Sequence, residues 1–431
     1  MSNGYILDSV IVKDFFNNKN TVELNFKDNT NFVIGENGLG KTTLINLVAG
    51  VLEVDTETVM NTDFTEIEIK LCSKKTKTKP IIKVIITNEL ELRYQIKEKS
   101  SDKDFLFNES LNASFRDRSY RNSTRRVHGR EDFIVSELKT IINSFLEVSW
   151  LTIHRTSRKD RFEDNSFEST VDMKIKQISN QLIRYFSSLD NQASKQLESF
   201  QKNVFNLLID SDTKTSAILN LNLETEKKSL KSIYKELNII DENDRQNEII
   251  NKKVDKHFES VKKVKERILK NSKPTEDLKE KEIISLYRTI IAHDAIENWE
   301  KYEKFKETLY KQKNIFLDLL SDLFKNKNVK INEKNELKIY KKNNDFISLL
   351  KLSSGEKQML IILAEALLQE NKSSIYIADE PELSLHISWQ ESLVRNILHL
   401  NKNVQLIFAT HSPDIVSNYT ENLIHLEKHF K

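Results

Sequence analysis

GENGLGKTT, residues 35–43, is the stretch that decides the fold of this chain. It matches the pattern G-x-x-x-x-G-K-[ST], follows the apolar run NFVIG and opens a segment with helical spacing. Glycines at these positions let main-chain N–H groups curl around a phosphate chain, and the N-terminus of the following helix favours the same negative charge. The stretch predicts a strand, a phosphate-binding loop and a helix, with Lys41 on the β- and γ-phosphates and Thr42 on Mg²⁺.

Strand and helix patterns place this loop in an α/β architecture. The first 100 residues have the pattern of strands around one helix, and strands and helices alternate again after residue 336. Between them, residues 165–326 hold amphipathic helices rich in Lys, Glu and Asn. We therefore predict a head with a mixed sheet, split by a helical or coiled-coil insertion. Its predicted parts are the N-terminal head at 1–160, the insertion at 161–330 and the C-terminal head at 331–431.

The helical insertion has two interpretations. Ile250, Val254, Val261, Val264 and Ile268 follow a heptad, with His257 at the missing position. Two helices of about 30–45 residues would form an antiparallel pair about 45–65 Å long. A compact helical lobe packed on the head is the alternative, because the heptads are few and imperfect.

Composition indicates the cellular compartment of the protein but not the class of its binding partner. The 431 residues carry a net charge of only +2, so the overall balance identifies no partner class. A single cysteine, Cys72, excludes an internal disulfide and fits a reducing cytosol. No stretch approaches the roughly 18–20 apolar residues of a membrane span, and the N-terminus lacks a signal-peptide layout. We expect a cytoplasmic protein that does not span a membrane.

Two apolar runs near the C-terminus end in polar groups. SSIYIADEPELSLH (373–386) ends its strand at Asp379–Glu380, where Asp379 would face the metal and Glu380 a water attacking the γ-phosphate. VQLIFATHSPDIV (404–416) ends at Thr410–His411–Ser412, where His411 could hydrogen-bond the γ-phosphate. Alone, the acidic pair would be a helix cap and His411 a structural histidine. The phosphate loop favours the functional interpretation of both.

KLSSGEKQM (351–359) contains more polar and small residues than a helix N-cap needs. One serine suffices for a cap, which leaves a second serine and Gly355 to explain. Main-chain N–H groups, the hydroxyl of Ser353 or Ser354 and the helix field would form a second anion site. Since the phosphate loop already holds one end of a nucleotide, we predict that this site faces the γ-phosphate bound by a partner subunit.

Together GENGLGKTT, LSSGEK, IYIADEPE and ATHSP resemble the ABC-class ATPases. They are most similar to the SMC, recombination-repair and OLD (overcoming lysogenization defect) branches, in which a helical arm interrupts the ATPase head. The resemblance covers about residues 1–155 and 335–425. It implies a split ABC-type P-loop head that binds ATP and Mg²⁺ and that pairs with a second head, as a homodimer or higher oligomer, around two ATP molecules.

The resemblance assigns a role to each motif residue. The nucleotide-binding residues are Gly35, Glu36, Asn37, Gly38, Gly40, Lys41, Thr42 and Thr43. The metal ligands are Thr42 and Asp379, and the catalytic residues are Glu380 and His411. The signature that contacts the opposite head's ATP is Ser353, Ser354, Gly355 and Glu356. The loop that crosses the dimer interface contributes Glu382, Ser384 and His386.

The chain also departs from the family pattern. The usual first glycine of the signature is Ser354 here. The glutamine expected after the middle strand of the head is not evident, and His154–Arg155 is the candidate replacement. Phe15 or Phe16 is the candidate for the adenine contact.

The effector implied by the resemblance is a separate protein. OLD nucleases carry a C-terminal metal-dependent TOPRIM domain, and we expect no such domain in the short segment after ATHSP. A nuclease or toxin would then be another polypeptide. In this respect the chain resembles ATPase sensor subunits of bacterial anti-phage systems, such as the phage anti-restriction-induced system and the Septu type.

An arginine-rich segment, FRDRSYRNSTRRVHGR (115–130), keeps nucleic acid as an alternative partner. Its arginines could contact phosphates while Phe115 and Tyr120 stack on bases. The alternatives are a solvated loop and an acidic protein partner. These arginines are Arg116, Arg118, Arg121, Arg125, Arg126 and Arg130. A DNA-repair ATPase is therefore the competing function, whereas the helical insertion disfavours a membrane-transporter ATPase.

Overall fold

The computed structural model describes residues 4–431 except 18–19, 74–75, 77, 88–90, 99–101, 109–123, 152–168, 208–219, 238–244 and 271–277. The chain divides into two compact units, Met1–Tyr185 with Gln312–Lys431, and Phe186–Lys311. The predicted domain boundaries at 160/161 and 330/331 stay predictions, because a compact unit need not coincide with a domain.

Strands dominate the part of the chain before the insertion. Its elements are β1 (Ile6–Lys13), β2 (Thr21–Asn25), β3 (Thr30–Ile34), α1 (Lys41–Glu53), α2 (Thr56–Met60), β4 (Glu66–Cys72), β5 (Ile81–Ile86), β6 (Glu91–Lys97), β7 (Asp102–Asn108), α3 (Thr124–Phe145) and β8 (Glu147–Leu151). Helix α3 begins at Thr124, inside the arginine-rich segment of residues 115–130.

Long helices follow, and strands then return. The helices are α4 (Thr170–Leu207), α5 (Leu223–Glu236), α6 (Arg245–Lys270) and α7 (Glu280–Leu323). The last part contains β9 (Lys327–Ile331), β10 (Leu337–Lys341), β11 (Phe346–Ile347), α8 (Ser354–Leu368), β12 (Ser374–Asp379), α9 (Ile387–Leu400), β13 (Val404–Ala409), α10 (Pro413–Val416) and β14 (Leu423–His425). None of the helices within the described ranges has the length and apolar character that spanning a membrane requires.

The strands form three sheets. An antiparallel sheet has the order β2-β1-β4-β5-β6-β7, a parallel sheet the order β14-β3-β13-β12-β8, and a small antiparallel sheet the order β11-β10-β9. In the parallel sheet, β3 and β8 from before the insertion lie beside β12, β13 and β14 from after it. This arrangement confirms the predicted α/β fold with a split head.

One apolar core joins the six-stranded sheet, α1 and the parallel sheet. Strand β4 alternates as a half-buried strand should, with Ile67, Ile69 and Leu71 inside. Every residue of β13 is buried, as expected of a strand covered on both faces. Helix α1 packs against β8, β12 and β13, so the core fixes the position of the helix that follows the phosphate loop.

The topology of the parallel sheet brings the predicted motifs to one edge. Strand β13 lies between β3 and β12, and both pairs are parallel. The carboxyl ends of the three strands therefore meet at the same edge, where ligands of open α/β sheets typically bind. The loops that leave this edge begin at Gly35, Glu380 and Thr410.

The unit Phe186–Lys311 has its own apolar clusters. The five heptad residues of α6 all contribute to one cluster, in which Val254, Val261 and Val264 are buried beside Leu286 and Ile290 of α7. At the missing heptad position, His257 Nε2 lies 3.1 Å from the Thr289 hydroxyl. Four helices contribute to the described part of this unit. One of the two interpretations of the sequence expected a single antiparallel pair.

Candidate functional site

The phosphate loop has the backbone that its glycines permit. Gly38 and Gly40 have φ values of +86° and +85°, in the left-handed region that favours glycine. Gly40 is also the N-cap of α1 and makes no side-chain cap. A Cβ atom at Gly40 would collide with the ring of Phe16. The backbone therefore turns sharply into α1 and leaves the approach to its first N–H groups clear of capping side chains.

Lys41 is held over this loop. Its side chain is buried, and Nζ donates to the carbonyl oxygens of Gly35 and Glu36, 2.8 Å from each. Two neutral carbonyls are weaker acceptors than phosphate oxygens, with which an ammonium forms charge-assisted bonds. The ammonium is thus positioned where a phosphate could replace either carbonyl.

Thr42 and Asp379 meet at the end of the loop. The Thr42 hydroxyl donates to Asp379 Oδ1 at 3.1 Å, which joins the first turn of α1 to the last residue of β12. Hydroxyl and carboxylate oxygens are ligands that Mg²⁺ accepts, and Mg²⁺ usually takes one or two protein oxygens together with substrate phosphates. The oxygens of the pair fit that ion, and the role of Thr42 and Asp379 as metal ligands stays a prediction. The remaining loop residues lie at the surface: Glu36, Asn37 and Thr42 are exposed and Thr43 is half-buried.

Glu380 occupies a strained turn directly after β12. Its φ is +46°, which a non-glycine residue adopts only at a cost of about 1–3 kcal/mol. The strain is held by a bond from Glu380 N to the Ala409 carbonyl, 2.8 Å away on β13. The alternation of an extended chain therefore stops at Asp379, and the turn sets the direction of Glu380. Its assignment as the general base stays a prediction.

The loop after β13 places His411 next to this turn. His411 is exposed, while its main-chain N–H and that of Ser412 donate to Glu382 Oε1 at 3.0 and 3.2 Å. Ser412 caps the short helix α10 and donates its hydroxyl to Gln390 Oε1 at 2.7 Å. His411 is therefore exposed at the edge where β3, β12 and β13 end, and its γ-phosphate contact stays a prediction.

The signature segment forms a complete capping box at the start of α8. Ser353 Oγ accepts from Glu356 N, and Glu356 Oε2 accepts from Ser353 N at 3.0 Å. Lys327 of β9 pairs with the Glu356 carboxylate. Partial burial alone would raise the pKa of Glu356, but hydrogen bonds from Lys327 and Ser353 outweigh it and lower that pKa. Ser353 therefore has a role in its own helix, and Ser354, which is exposed, is the serine with no role in the box.

The loop between β12 and α9 divides into an inward and an outward part. Glu382 is buried, whereas Ser384 and His386 are exposed. The Ser384 carbonyl lies so close to Gly355 that a Cβ atom there would collide with it. His386 is the N-cap of α9 and accepts from Ser388 N. Ser384 thus lies beside the signature segment. An interface role for Glu382, Ser384 and His386 stays a prediction.

Helix α8 is bonded to the first turns of α4. Lys357 pairs with Asp172 at 2.6 Å, and Lys174 pairs with Glu365 at 2.6 Å. The Tyr376 hydroxyl of β12 also donates to Glu365, at 3.2 Å. Burial raises the pKa of Glu365, against the opposing charge of Lys174. Ion pairs near both ends of α8 therefore connect the signature helix with the helix that continues into the insertion.

Several predicted residues lie outside the described part of the site. Arg116, Arg118 and Arg121 fall in 109–123, and His154–Arg155 fall in 152–168. The other arginines of the basic segment are on α3, within the stretch where only the backbone is described; they are Arg125, Arg126 and Arg130. The nucleic-acid contact and the replacement for the missing glutamine stay predictions.

Glu427 is a neighbour of the phosphate loop that the sequence analysis missed. Glu427 Oε1 accepts from Glu36 N at 3.0 Å. Main-chain N–H donors lower the pKa of this exposed carboxyl. The same peptide group is bonded on its other side, because the Gly35 carbonyl accepts from Lys41. Finding Glu427 requires knowing that β14 pairs with β3, with His425 opposite Ile34. Phe16, one of the two candidates for an adenine contact, packs against Gly40 of the loop, and the adenine contact of Phe15 or Phe16 stays a prediction.

Comparisons with known proteins agree with this arrangement of motifs. A family model described as AAA ATPase domain matches residues 6–416. The Retron Ec83 probable ATPase of Escherichia coli is 38% identical over 88 residues, which are 18% of this chain and 16% of that protein. The Retron Vc95 probable ATPase of Vibrio cholerae serotype O1 biovar El Tor is 33% identical over 94 residues, 19% of this chain and 18% of that protein. The matched segment thus spans less than a fifth of either relative.

Similar solved structures include two Smc heads. One is the Smc head domain of Pyrococcus furiosus with an extended coiled coil, bound to the C-terminal domain of ScpA. It is 14% identical, with 96% of this chain and 92% of that chain covered and a TM-score of 0.44. Another is an Smc head bound to the C-winged helix domain of ScpA, 10% identical, with 96% and 91% covered and a TM-score of 0.43.

Proposed function

The chain belongs to the AAA ATPase domain family, and we propose that it is an ATP-hydrolysing sensor or scaffold subunit of an anti-phage defence system. In this proposal two copies close their heads around ATP, in the manner of ABC-class ATPases of the OLD-like branch. Closure controls a separate effector, a nuclease or a toxin. ATP and Mg²⁺ are the proposed ligands.

The contact between Thr42 and Asp379 carries the hydrolysis part of the proposal. The two residues are 337 positions apart in sequence, yet their oxygens lie 3.1 Å apart beside the phosphate loop. A chance glycine turn at residues 35–40 would not need an acidic strand end at that point. The pairing is what phosphoryl transfer with Mg²⁺ requires of a protein.

Each residue has a defined part in the proposed hydrolysis. Lys41 exchanges its carbonyl acceptors for phosphate oxygens and offsets the charge that develops on them. Glu380 accepts a proton from the attacking water, whose oxygen bonds to the γ-phosphorus as the bond to ADP breaks. His411 donates a hydrogen bond to the γ-phosphate. Thr42 and Asp379 would hold Mg²⁺, which would supply positive charge against the phosphates.

Two further observations support a sensor rather than an isolated hydrolase. The signature helix α8 is joined to α4 by the Lys357–Asp172 and Lys174–Glu365 ion pairs. Since α4 continues to Leu207, a movement of α8 on head closure would be passed to the insertion through these ion pairs. The curated relatives are named as probable ATPases of retrons, which favours the defence role over chromosome maintenance.

The proposal is tested by two variants with opposite expected effects. Glu380→Gln should accumulate ATP-bound dimers, because nucleotide binds but the water is not activated. Lys41→Ala should give no dimers with ATP, because the phosphate contact is lost. Light scattering after size exclusion measures the mass with ATP, with ADP and without nucleotide. Equal masses for both variants under all three conditions would contradict ATP-driven pairing.

The competing DNA-repair function predicts a different result. Hydrolysis would rise on adding DNA, and DNA affinity would fall steeply with salt and with neutralisation of the six arginines of residues 116–130. Fluorescence anisotropy at several salt concentrations measures this. DNA binding without a salt dependence, or no binding, rejects that function. A salt-dependent interaction that stimulates hydrolysis would replace the defence proposal.

A further inference from the structure

Glu382 makes an unusually concentrated set of hydrogen bonds. Its side chain is 8% exposed, and its Oε1 atom accepts from three donors. These are the Thr410 hydroxyl at 2.6 Å, His411 N at 3.0 Å and Ser412 N at 3.2 Å. Oε2 is equally buried and has no hydrogen-bond partner among the described residues. One oxygen of this carboxylate thus receives every bond.

Burying a carboxylate in this way is unfavourable unless its contacts compensate, since a buried polar atom without a partner loses its hydrogen bonds to water. All three donors belong to consecutive residues of the loop after β13, whereas Glu382 belongs to the loop after β12. The bonds therefore join the loop that carries Glu380 to the loop that carries His411. If this position were needed only for packing, an apolar side chain of similar size could replace the carboxylate.

The loop that contains Glu382 is itself fixed from the side of α8. Gln358 Nε2 of α8 donates to the Pro381 carbonyl at 2.7 Å. Gln390 Nε2 of α9 donates to the Leu385 carbonyl at 2.9 Å, and its Oε1 accepts from the Ser412 hydroxyl. Glu382 is thus anchored before and after its position, so it can hold the 410–412 main chain in place.

From this geometry we infer that Glu382 is a positioning residue for ATP hydrolysis. This inference rests on the function proposed above. Glu382 fixes the main chain of His411 and so aligns the His411 side chain with the γ-phosphate. It is not itself a contact of the nucleotide. The acceptor oxygen, rather than the negative charge, performs this role, because only Oε1 is engaged.

The test separates hydrogen bonding from charge and from packing. Glu382→Gln keeps an acceptor oxygen at Oε1, and its amide replaces an oxygen that has no partner to lose. Glu382→Met has similar volume and no comparable acceptor. We expect Glu382→Met to lower kcat by about 10- to 100-fold, the range of a small misplacement in an active site. ATP affinity, measured with a fluorescent nucleotide, should change by less than about threefold, as for an interaction that acts in the transition state.

Gln405→Met is the matched control. Gln405 is fully buried at the start of β13 and bonds through its amide to the main chain of Leu7 and Lys27. It is therefore another buried, hydrogen-bonded side chain, but at the opposite end of β13 from residues 410–412. Both Met variants should lose thermal stability, but only Glu382→Met should lose kcat. Equal losses of kcat in the two Met variants would reduce Glu382 to a structural role.

Hydrogen exchange of the peptide covering residues 404–416 gives a readout independent of activity. Glu382→Met should speed exchange of the His411 and Ser412 amides, and Glu382→Gln should leave it near the wild-type rate. If Glu382→Gln is as defective as Glu382→Met in both kcat and exchange, the charge is required and the inference is overturned. A wild-type protein that hydrolyses no ATP would refute the proposed function instead, while exchange would still report on the hydrogen bonds of Glu382.

Discussion

The N-termini of α1 and α8 serve the same predicted ligand in opposite ways. Helix α1 starts after Gly40, whose left-handed backbone offers no side-chain cap. Helix α8 starts after Ser353, which exchanges hydrogen bonds with Glu356 in a reciprocal box. The N–H groups in the first turn of α1 therefore need hydrogen-bond acceptors from outside the helix. In the first turn of α8, part of the acceptors come from the helix's own side chains.

This difference indicates how each end relates to a nucleotide. An uncapped N-terminus beside Lys41 is a site for an anion bound by the same chain. The capped N-terminus of α8 needs no ligand to satisfy its capping hydrogen bonds. Its exposed residue Ser354 is still accessible to a ligand. Under the proposed function, ATP would bind at α1 first, and α8 would be used only when a second head brings its own nucleotide.

The largest effect on this difference between α1 and α8 is expected from replacing Lys41. Lys41→Met should lower kcat/KM for ATP by about 100-fold or more, as expected when a preorganised donor to a transition-state oxygen is lost. The measurement is phosphate release, with Lys338→Met as the control. Lys338 lies on β10 and pairs with Glu336, so its loss should have no effect on turnover. Similar kinetics of the Lys41 variant and wild type would remove the phosphate loop from the reaction.

Gly355→Ala tests the N-terminus of α8. Its Cβ would collide with the Ser384 carbonyl, and overpacking of this kind costs about 1–3 kcal/mol. Urea unfolding should show the loss, and ATP-dependent pairing should weaken while binding of nucleotide to the isolated head is retained. Ser354→Ala is the neighbouring control, because residue 354 is exposed. Equal stability of the two variants would mean that the 382–386 loop does not contact Gly355.

The capping box itself is tested by Ser353→Ala. Loss of an N-cap hydroxyl should lower the free energy of unfolding by about 1 kcal/mol. The same substitution at Thr42, in the first turn of the uncapped α1, should have a smaller effect on stability and a larger one on Mg²⁺-dependent hydrolysis. Calorimetry and phosphate release measure the two quantities. The comparison fails if both variants behave alike in both measurements.

Glu427 tests whether the phosphate loop is supported from outside. Glu427→Ala removes the acceptor of Glu36 N, and nucleotide affinity should fall by about threefold, the size of one modest hydrogen bond. Glu427→Gln keeps an acceptor and should lie nearer to wild type. Titration with a fluorescent nucleotide measures both. An increase in affinity in both variants would show that Glu427 acts by charge repulsion of phosphate.

The smallest predicted effect is a pH dependence at α8. The pKa of Glu356 is lowered from its ordinary value of 4.5, so the ionised form is the one that the fold stabilises. That stabilisation is fully present above pH 4.5 and is lost as pH falls through the lowered value. The difference in urea midpoint between wild type and Glu356→Gln should therefore be constant near neutrality and shrink in acid. A difference that grows in acid would reverse the assigned sign.

Local patterns were sufficient for much of the fold and the site. Residues 35–43 predicted the strand, loop and helix, because glycine and lysine spacing acts through neighbouring backbone. The alternation of β4 and the apolar run of β13 are local patterns of the same kind, and they match the burial of these strands. The strand ends at Asp379 and Ala409 were also readable from the sequence. Heptads in 250–268 indicated packed helices, although not that four helices share the region.

By itself, then, the sequence determined the chemistry of the motifs and the order of the elements around them. Tertiary structure decided which residues support them, because pairing of distant strands sets those contacts. Glu427 reaches Glu36 only because β14 lies beside β3. Glu382 turns inward to the His411 main chain, and Ser353 is used by its own helix, which leaves Ser354 exposed. Such choices depend on long-range hydrogen-bond partners, which no spacing along the chain encodes.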